Sequence, residues 1–266
     1  MEIEPESYNL HTHSFYCGHG SGHVSEYCAE ARRLGLKVLG FSEHCPVPEN
    51  RWRNTRMAYA QLPEYLAEVT KEQQSEDLKV YKGLECDYFP EYDEYYRALK
   101  EKTDYLIFGV HLLQTSSDRD FALHHRPMGK KELHAYTEEY IASIESALFL
   151  YGAHPDLFGI NYLAWDEEAI ACSKAILSCA ESYQMPLEVN AYGLRKPLVE
   201  AKEGKRWAYP LLNFWLLARD YKIKVVSGAD AHSVSALSGF YPLCCEFLQC
   251  TGLSFSSLET DNGLRV

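Results

Sequence analysis

Short, largely apolar runs recur along the whole chain, and each closes on an imidazole or a carboxylate. They read YNLHTH at 8–13, VLGFSEH at 38–44, VYKGLE at 80–85, YLIFGVH at 105–111, FLYGAH at 149–154 and IKVVSGADAH at 223–232. Runs this short and apolar suit buried parallel strands. Segments with helical spacing separate them: Val24, Tyr27, Cys28 and Ala31 repeat at helical intervals before the stop signal Gly35. Further helices are expected near 59–75, 91–102, 131–148, 166–183 and 206–221, with one more strand at 186–190. Seven strands alternating with helices imply parallel βα units. A barrel fits better than an open sheet, because chemistry-bearing residues follow the strands all along the chain instead of clustering at one switch point.

At 266 residues and 46% hydrophobic, the chain has enough apolar surface for one α/β domain spanning 1–266. Its longest apolar stretches fall far short of a bilayer span. The opening MEIEPESYN lacks the basic-then-apolar signature of a secretory signal, so cytoplasmic residence is expected. Nine irregularly spaced cysteines without a CxxC pair read as reduced thiols, with Cys17 and Cys45 as small buried fillers beside the histidines. A net charge of −12 disfavours a grip on long nucleic acid. A small phosphorylated partner stays compatible, since bound cations reverse the local field. Nothing in the sequence signals an oligomeric state. Loops 45–57 and 112–131 exceed ordinary connection lengths and are expected to wall an active face.

His11 and His13 share one face of a strand end, so both imidazoles can reach one ion. His19 follows in the glycine-rich CGHGSGH, where the backbone can turn a side chain back to the same point. His44, His111 and His154 each close a strand, and Asp230 and His232 repeat the two-residue spacing at the last one. Glu85 also ends a strand and can bridge two cations through its two oxygens. A lone strand-end histidine is ordinarily structural. Nine such groups on successive strands, with helices almost free of histidine, read instead as a polynuclear metal site.

HTHSFYCGHG, FSEH, GLECD, FGVHLL, GAHPD and SGADAH, running from residue 11 to 232, resemble the PHP (polymerase and histidinol phosphatase) family of metal-dependent hydrolases. HTHSFYCGHGSG, EVNAYGLRKP and SGADAH look most like its histidinol-phosphate phosphatase branch. The resemblance implies a distorted (β/α)7 TIM-like barrel with the metal site at the C-terminal ends of the strands. It further implies three divalent transition ions, zinc, iron or manganese. His11, His13, Glu85 and Asp230 would hold the first, Glu85, His111 and His154 the second, and His19, His44 and His232 the third. The implied reaction is hydrolysis of a phosphomonoester, foremost histidinol phosphate, by hydroxide generated on the ions. Glu85, Asp230 and His232 would serve it through those ions.

Arg195 is the expected clamp on phosphate, since a planar guanidinium matches phosphate oxygens. His124 and His125 are expected at the substrate, and either of them or a water is a candidate proton donor to the leaving alkoxide. One departure stands out: the basic residue that commonly follows HPDL in this branch is replaced by Ile160 and Asn161. Arg51, Arg53, Arg56 and Arg126 are alternatives from other directions. Tyr88, Tyr92 and Tyr192 are candidates to line a pocket, and His23, His134, Cys86 and Asp87 to stand behind the ligands. Two other readings remain: a phosphatase or phosphodiesterase of a small nucleotide, and a non-catalytic metal-binding regulatory domain.

Overall fold

In the computed structural model, which describes residues 2–115, 118–260 and 263–266, the apolar runs become parallel strands. β1 (Tyr8–Asn9), β2 (Val38–His44), β3 (Lys79–Cys86) and β4 (Tyr105–Phe108) pair in that order. β5 (Leu187–Asn190) pairs in parallel with β6 (Val225–Gly228). Single bridges close the gaps: Gly152 joins Phe108 to Leu187, and Thr12 pairs with Ala231. The backbone bonds Ala153 N to Phe108 O at 2.7 Å, Glu188 N to Gly152 O at 3.0 Å and His13 N to Ala231 O at 2.8 Å complete the circuit. Seven parallel segments therefore close on themselves as a distorted (β/α)7 barrel.

The expected strand at 149–154 shrinks to the Gly152 bridge. A Cβ at Gly152 would meet the Tyr140 hydroxyl and, at 2.8 Å, the Phe108 ring, so only glycine passes there.

Alternation along the strands sets up the site. On the inner faces, Val38 leads through Gly40 and Ser42 to His44, Tyr81 through Gly83 to Glu85, and Val226 through Gly228 to Asp230. The lowest layer is apolar, with Tyr8, Leu10, Val38, Tyr105, Ile107, Tyr151 and Val226 packed together. Gly83 leaves room for the Tyr105 ring, at 2.5 Å from where its Cβ would stand, and Gly40 does the same for the Tyr105 hydroxyl. That hydroxyl donates to Leu10 O at 2.7 Å and Phe41 O at 3.0 Å. Ligand-bearing positions then fall one layer above this plug.

Outside the ring stand α1 (Val24–Leu34), α2 (Leu62–Glu72), α3 (Asp93–Lys100), α4 (Lys130–Glu145), α5 (Glu167–Tyr183), α6 (Leu212–Ala218) and α7 (Phe240–Gln249). α1 buries Val24, Tyr27, Cys28 and Ala31 and ends at Gly35, whose φ of 76° suits glycine. Two expectations change. The 112–131 stretch contains an antiparallel hairpin, Leu112–Thr115 with Asp118–Ala122, and so is not simply a loop. The helix expected at 206–221 starts only at Leu212, because Val199–Ala201 and Gly204–Arg206 form a second hairpin and Pro210 intervenes. Glu2–Ile3 pairs with Leu258–Glu259. Among the described residues, no helix is long and apolar enough to cross a membrane.

Candidate metal centre

His11, His13, Glu85 and Asp230 meet above the apolar plug. His11 Nε2 lies 3.1 Å from His13 Nε2, and 3.5 Å from both Glu85 Oε2 and Asp230 Oδ1. His13 Nε2 stands 3.4 Å from that Glu85 oxygen and 3.3 Å from that Asp230 oxygen. Ligands about 2.0–2.1 Å from an ion in a tetrahedron lie about 3.3–3.4 Å apart, so the two imidazole nitrogens have that spacing from each other and from each carboxylate oxygen. Glu85 Oε1 faces His154 Nε2 at 3.0 Å and His111 Nε2 at 3.5 Å, while Oε2 faces His44 Nδ1 at 3.0 Å. The His232 ring stacks 4.4 Å from that of His13 and lies 4.7 Å from that of His19. The structure thus brings together all nine expected groups, in overlapping triplets whose ligand atoms lie within 4.8 Å of one another. His44 groups both with Glu85 and His111 and with His13 and His232; Cys17 adds its sulfur beside His19 and His232.

Electrostatics favour the ligating forms of Glu85, Asp230, His13 and His44. Burial alone would raise the two carboxyls, yet the surrounding histidines hold Glu85 and Asp230 well below the usual carboxylate range. Burial and the neighbouring His44 and His232 push His13 well below ordinary histidine, and burial lowers His44 to about 3 despite Glu85. Metal binding requires ionised carboxylates and neutral imidazoles, which these shifts supply at Glu85, Asp230, His13 and His44. At His11 and His111 the burial that would lower the imidazole is outweighed, by Glu188, Asp230 and Glu85 in the first and by Glu85 and Asp87 in the second, so both are raised. Glu85 Oε2 and His232 Nε2 are buried without hydrogen-bond partners, as expected of atoms meant for a cation. The backbone is strained at two of the positions: φ is 28° at His154 and 45° at Asp230, at a typical cost of about 1–3 kcal/mol each.

A second ring of residues orients the first. Glu188 Oε1 accepts from His11 Nδ1 at 2.6 Å, and its other oxygen accepts from His154 N at 3.2 Å and Asn190 Nδ2 at 2.9 Å. Asn190 Nδ2 also donates to Asp230 Oδ2 at 3.2 Å. Gly228 is required beneath, because a Cβ there would meet Glu188 Oε1 at 1.7 Å. Asp87 Oδ1 accepts from His111 N at 2.6 Å and lies 3.3 Å from His111 Nδ1, while its other oxygen accepts from Arg56 at 3.0 Å. Glu188 and Asn190 escaped the sequence reading; the available signal was one charge and one amide inside the apolar run LEVNA.

Residues 9–192 match the PHP domain. The chain belongs to the PHP family. It is 32% identical over 237 residues to a Deinococcus radiodurans protein named probable histidinol-phosphatase, covering 84% of this chain and 85% of that one. Histidinol-phosphatase of Bacillus subtilis is 29% identical over 262 residues, covering 87% and 95%. Among solved structures, a histidinol phosphate phosphatase from Lactococcus lactis, complexed with zinc, L-histidinol and phosphate, superimposes with a TM-score of 0.69. It shares 15% identity and covers 94% of this chain and 95% of its own, a likeness of fold.

This PHP barrel opens to a cavity of about 360 Å³ above the ligands. Asn54, Thr55 and Arg56 of the 45–57 loop and Leu112 and Ala122 of the first hairpin wall one side, as expected of those long connections. His124 and His125 line the wall, with the His124 ring stacked 6.1 Å from His111. The expected phosphate clamp is Arg195. It lies outside the cavity lining, exposed, with Nη1 donating to Ala236 O at 2.6 Å and Nη2 to Ser238 O at 2.7 Å. Its neighbour Lys196 lines the cavity instead.

Of the other arginines considered, Arg56 reaches the wall, while Arg51 pairs with Asp120 at 2.7 Å. Tyr192 lines the cavity together with Tyr209, which the sequence reading missed. Tyr88 and Tyr92 pack elsewhere, against Tyr96. His23 caps α1 and His134 pairs with Glu168 at 2.9 Å, so neither backs the ligands; Asp87 does. Cys17 and Cys45 are buried.

Proposed function

We propose that the chain is a metal-dependent phosphomonoester hydrolase that converts L-histidinol phosphate and water to L-histidinol and phosphate. The observation that carries the reading is the convergence of His11, His13, Glu85 and Asp230 at ligand-to-ligand spacing beneath an open cavity. The relatives named histidinol-phosphatase, at 32% and 29% identity over most of the chain, supply the substrate. The nine groups would hold three divalent ions, and Glu85, whose two oxygens face different histidines, would serve more than one of them. Zinc fits the nitrogen-rich donor set, and iron and manganese remain compatible with it. Nine unpaired cysteines suit a reducing cytoplasm.

When bound by these residues, divalent ions would supply hydroxide near neutral pH and offset charge on the phosphoryl oxygens. The chain's own residues do the rest. Glu188 and Asn190 hold His11 and Asp230 in one orientation, and Asp87 does so for His111. His124 and His125 stand on the wall, within the cavity that receives the ester. Burial and the neighbouring His111 lower His124 to about 3, which leaves His125 or a water as the better candidate to protonate the departing alkoxide.

The test is a panel on metal-loaded protein: histidinol phosphate, an aryl phosphate, a 3′,5′-bisphosphonucleotide and a short DNA. Hydrolysis of histidinol phosphate far above the others supports the reading; cleavage of DNA alone overturns it. Removing His13 as Ala is expected to lower metal content and activity together, and an active, metal-poor variant would refute the ligand assignment.

A further inference from the structure

We propose that Glu43 is a positioning residue for His13 and, through Ser14, for the turn that carries His19, an assignment that rests on the metal-site reading above. Glu43 lies between Ser42 and His44 on β2, so strand alternation turns it away from the barrel interior. It shares that outer face with Phe41, whose ring meets Tyr27 of α1 at 6.2 Å. A carboxyl group with no exposed surface beneath a helix is costly unless polar groups repay it. Among the described residues no lysine or arginine pairs with Glu43; the groups that face it are Ser14 and His13. Ser14 N and Oγ donate to Oε1 at 2.5 and 2.6 Å. Oε2 stands 3.9 Å from His13 Nδ1, and both atoms are buried without a hydrogen-bond partner. A modest turn of the imidazole brings the two to bonding distance.

Three of the other candidate ligands show what that contact does. His11 Nδ1 is held by Glu188 at 2.6 Å, His19 Nδ1 by Cys17 O at 3.0 Å and His232 Nδ1 by Asp230 O at 3.0 Å. In each, an acceptor at Nδ1 fixes the ring and its tautomer and leaves Nε2 for an ion. His13 presents its Nε2 to His11, Glu85 and Asp230 in the same way. Glu43 is the acceptor placed behind its Nδ1.

The hold on Ser14 reaches further along the chain. Ser14 O accepts from Cys17 Sγ at 3.2 Å and Cys17 N at 3.4 Å, and that sulfur accepts from Gly20 N at 3.0 Å. A Cβ at Gly20 would meet Ser14 O at 2.7 Å and Cys17 Sγ at 2.9 Å, so the turn is packed directly on the residue that Glu43 fixes. Ser21 N then donates to His232 O at 2.9 Å. One buried side chain therefore backs the His13 ring, anchors the start of the turn that ends beside His232, and adjoins His44 in its own strand.

The experiment compares Glu43→Gln and Ser14→Ala with the wild-type chain, by zinc binding against a competing chelator and by the visible spectrum of the cobalt-loaded protein. Gln at 43 keeps an oxygen for Ser14 but turns an amide donor toward His13 Nδ1. Glu43→Gln should lower zinc affinity roughly 10- to 100-fold and shift the cobalt bands, which a residue that only filled space would leave in place. Ser14→Ala keeps the oxygen that faces His13 and should cost less, about 2- to 10-fold. Unchanged zinc affinity and cobalt bands in Glu43→Gln overturn the proposal, as does a larger loss in Ser14→Ala than in Glu43→Gln. If Glu43→Gln failed to fold, Ser14→Ala would carry the test, and wild-type affinity in that variant would overturn it. A wild-type protein that binds zinc yet turns over no phosphomonoester would sink the hydrolase reading by itself, and the zinc and cobalt measurements would still decide the role of Glu43.

Discussion

Arg56→Met is expected to destabilise the barrel and to do so through Asp87. The pair is deeply buried, with each side chain 3% exposed and 3.0 Å between Nη2 and Oδ2. Against the burial that would raise it, His111 and Arg56 hold the Asp87 carboxyl well below the usual range. Deleting one member of such a pair leaves an uncompensated buried charge, at a cost of about 3–5 kcal/mol. For a chain of 266 residues, an unfolding entropy of about 2.1 cal/mol/K per residue converts that loss to a fall of about 5–9 °C in Tm. Met keeps much of the aliphatic volume, so packing is a minor part of the loss.

The assay is thermal unfolding at fixed metal concentration for Arg56→Met, Asp87→Asn and the double variant. Asn at 87 retains an acceptor for His111 N and removes the charge. The double variant should therefore recover at least half of the Arg56→Met loss, since no carboxylate is then stranded. The Arg56→Met penalty should also shrink as pH falls. Wild-type Asp87 has a depressed pKa, so its contribution is present above the unfolded value near 4 and lost below it. Without Arg56 the carboxyl rises and can take up a proton, which relieves the stranded charge. A Tm within about 2 °C of wild type, or strictly additive losses in the double variant, would refute the reasoning.

Glu188→Gln should lower metal affinity roughly 10- to 100-fold, because His11 Nδ1 loses its ionised acceptor at 2.6 Å; metal titration with a competing chelator measures it, and an unchanged affinity would remove Glu188 from the site. Glu139, on α4, accepts from Gln114 N at 2.6 Å, and burial, with Asp87, Glu138 and Glu91 nearby, pushes its carboxyl up to about 8. The unfolded chain ionises first as pH rises, so this group costs stability progressively between about pH 4.3 and 8. Glu139→Gln keeps the acceptor and removes the titration, and its Tm should pull ahead of wild type as pH goes from 5 to 8. A constant gap across that range would show that Glu139 ionises normally in the fold.

Strand period explains which parts of this site could be read without coordinates. A residue two positions from His44, Glu85 or Asp230 shares its face, so a ligand at a strand end, a glycine below it (in β2 one step further, beneath Ser42) and an apolar side chain below that announce an inward-facing stack. The interiors of β2, β3 and β6 bear this out through Gly40, Gly83 and Gly228. Ring closure at Gly152 was less legible, because a one-residue bridge leaves no alternating pattern. Glu188 was hidden differently: inside an apolar run a lone carboxylate gives no hint that its partner, His11, lies 177 residues away.

Arg195 and Lys196 mark where period stops helping. They sit after a helical turn of four residues, where neighbouring side chains diverge. The arginine is claimed by carbonyls 41 and 43 residues downstream, and no local pattern encodes those partners. Apart from His19, the candidate metal ligands stand at or just after strand ends, whose direction is set by the barrel, whereas much of the cavity wall comes from the 45–57 loop, the first hairpin with His124 and His125 beyond it, and the stretch after β5. Substrate preference within this architecture is therefore carried by segments whose side-chain directions depend on distant backbone groups. Conserving every ligand need not conserve the molecule bound, and exchanging those three segments should alter KM while leaving the metal content as it was.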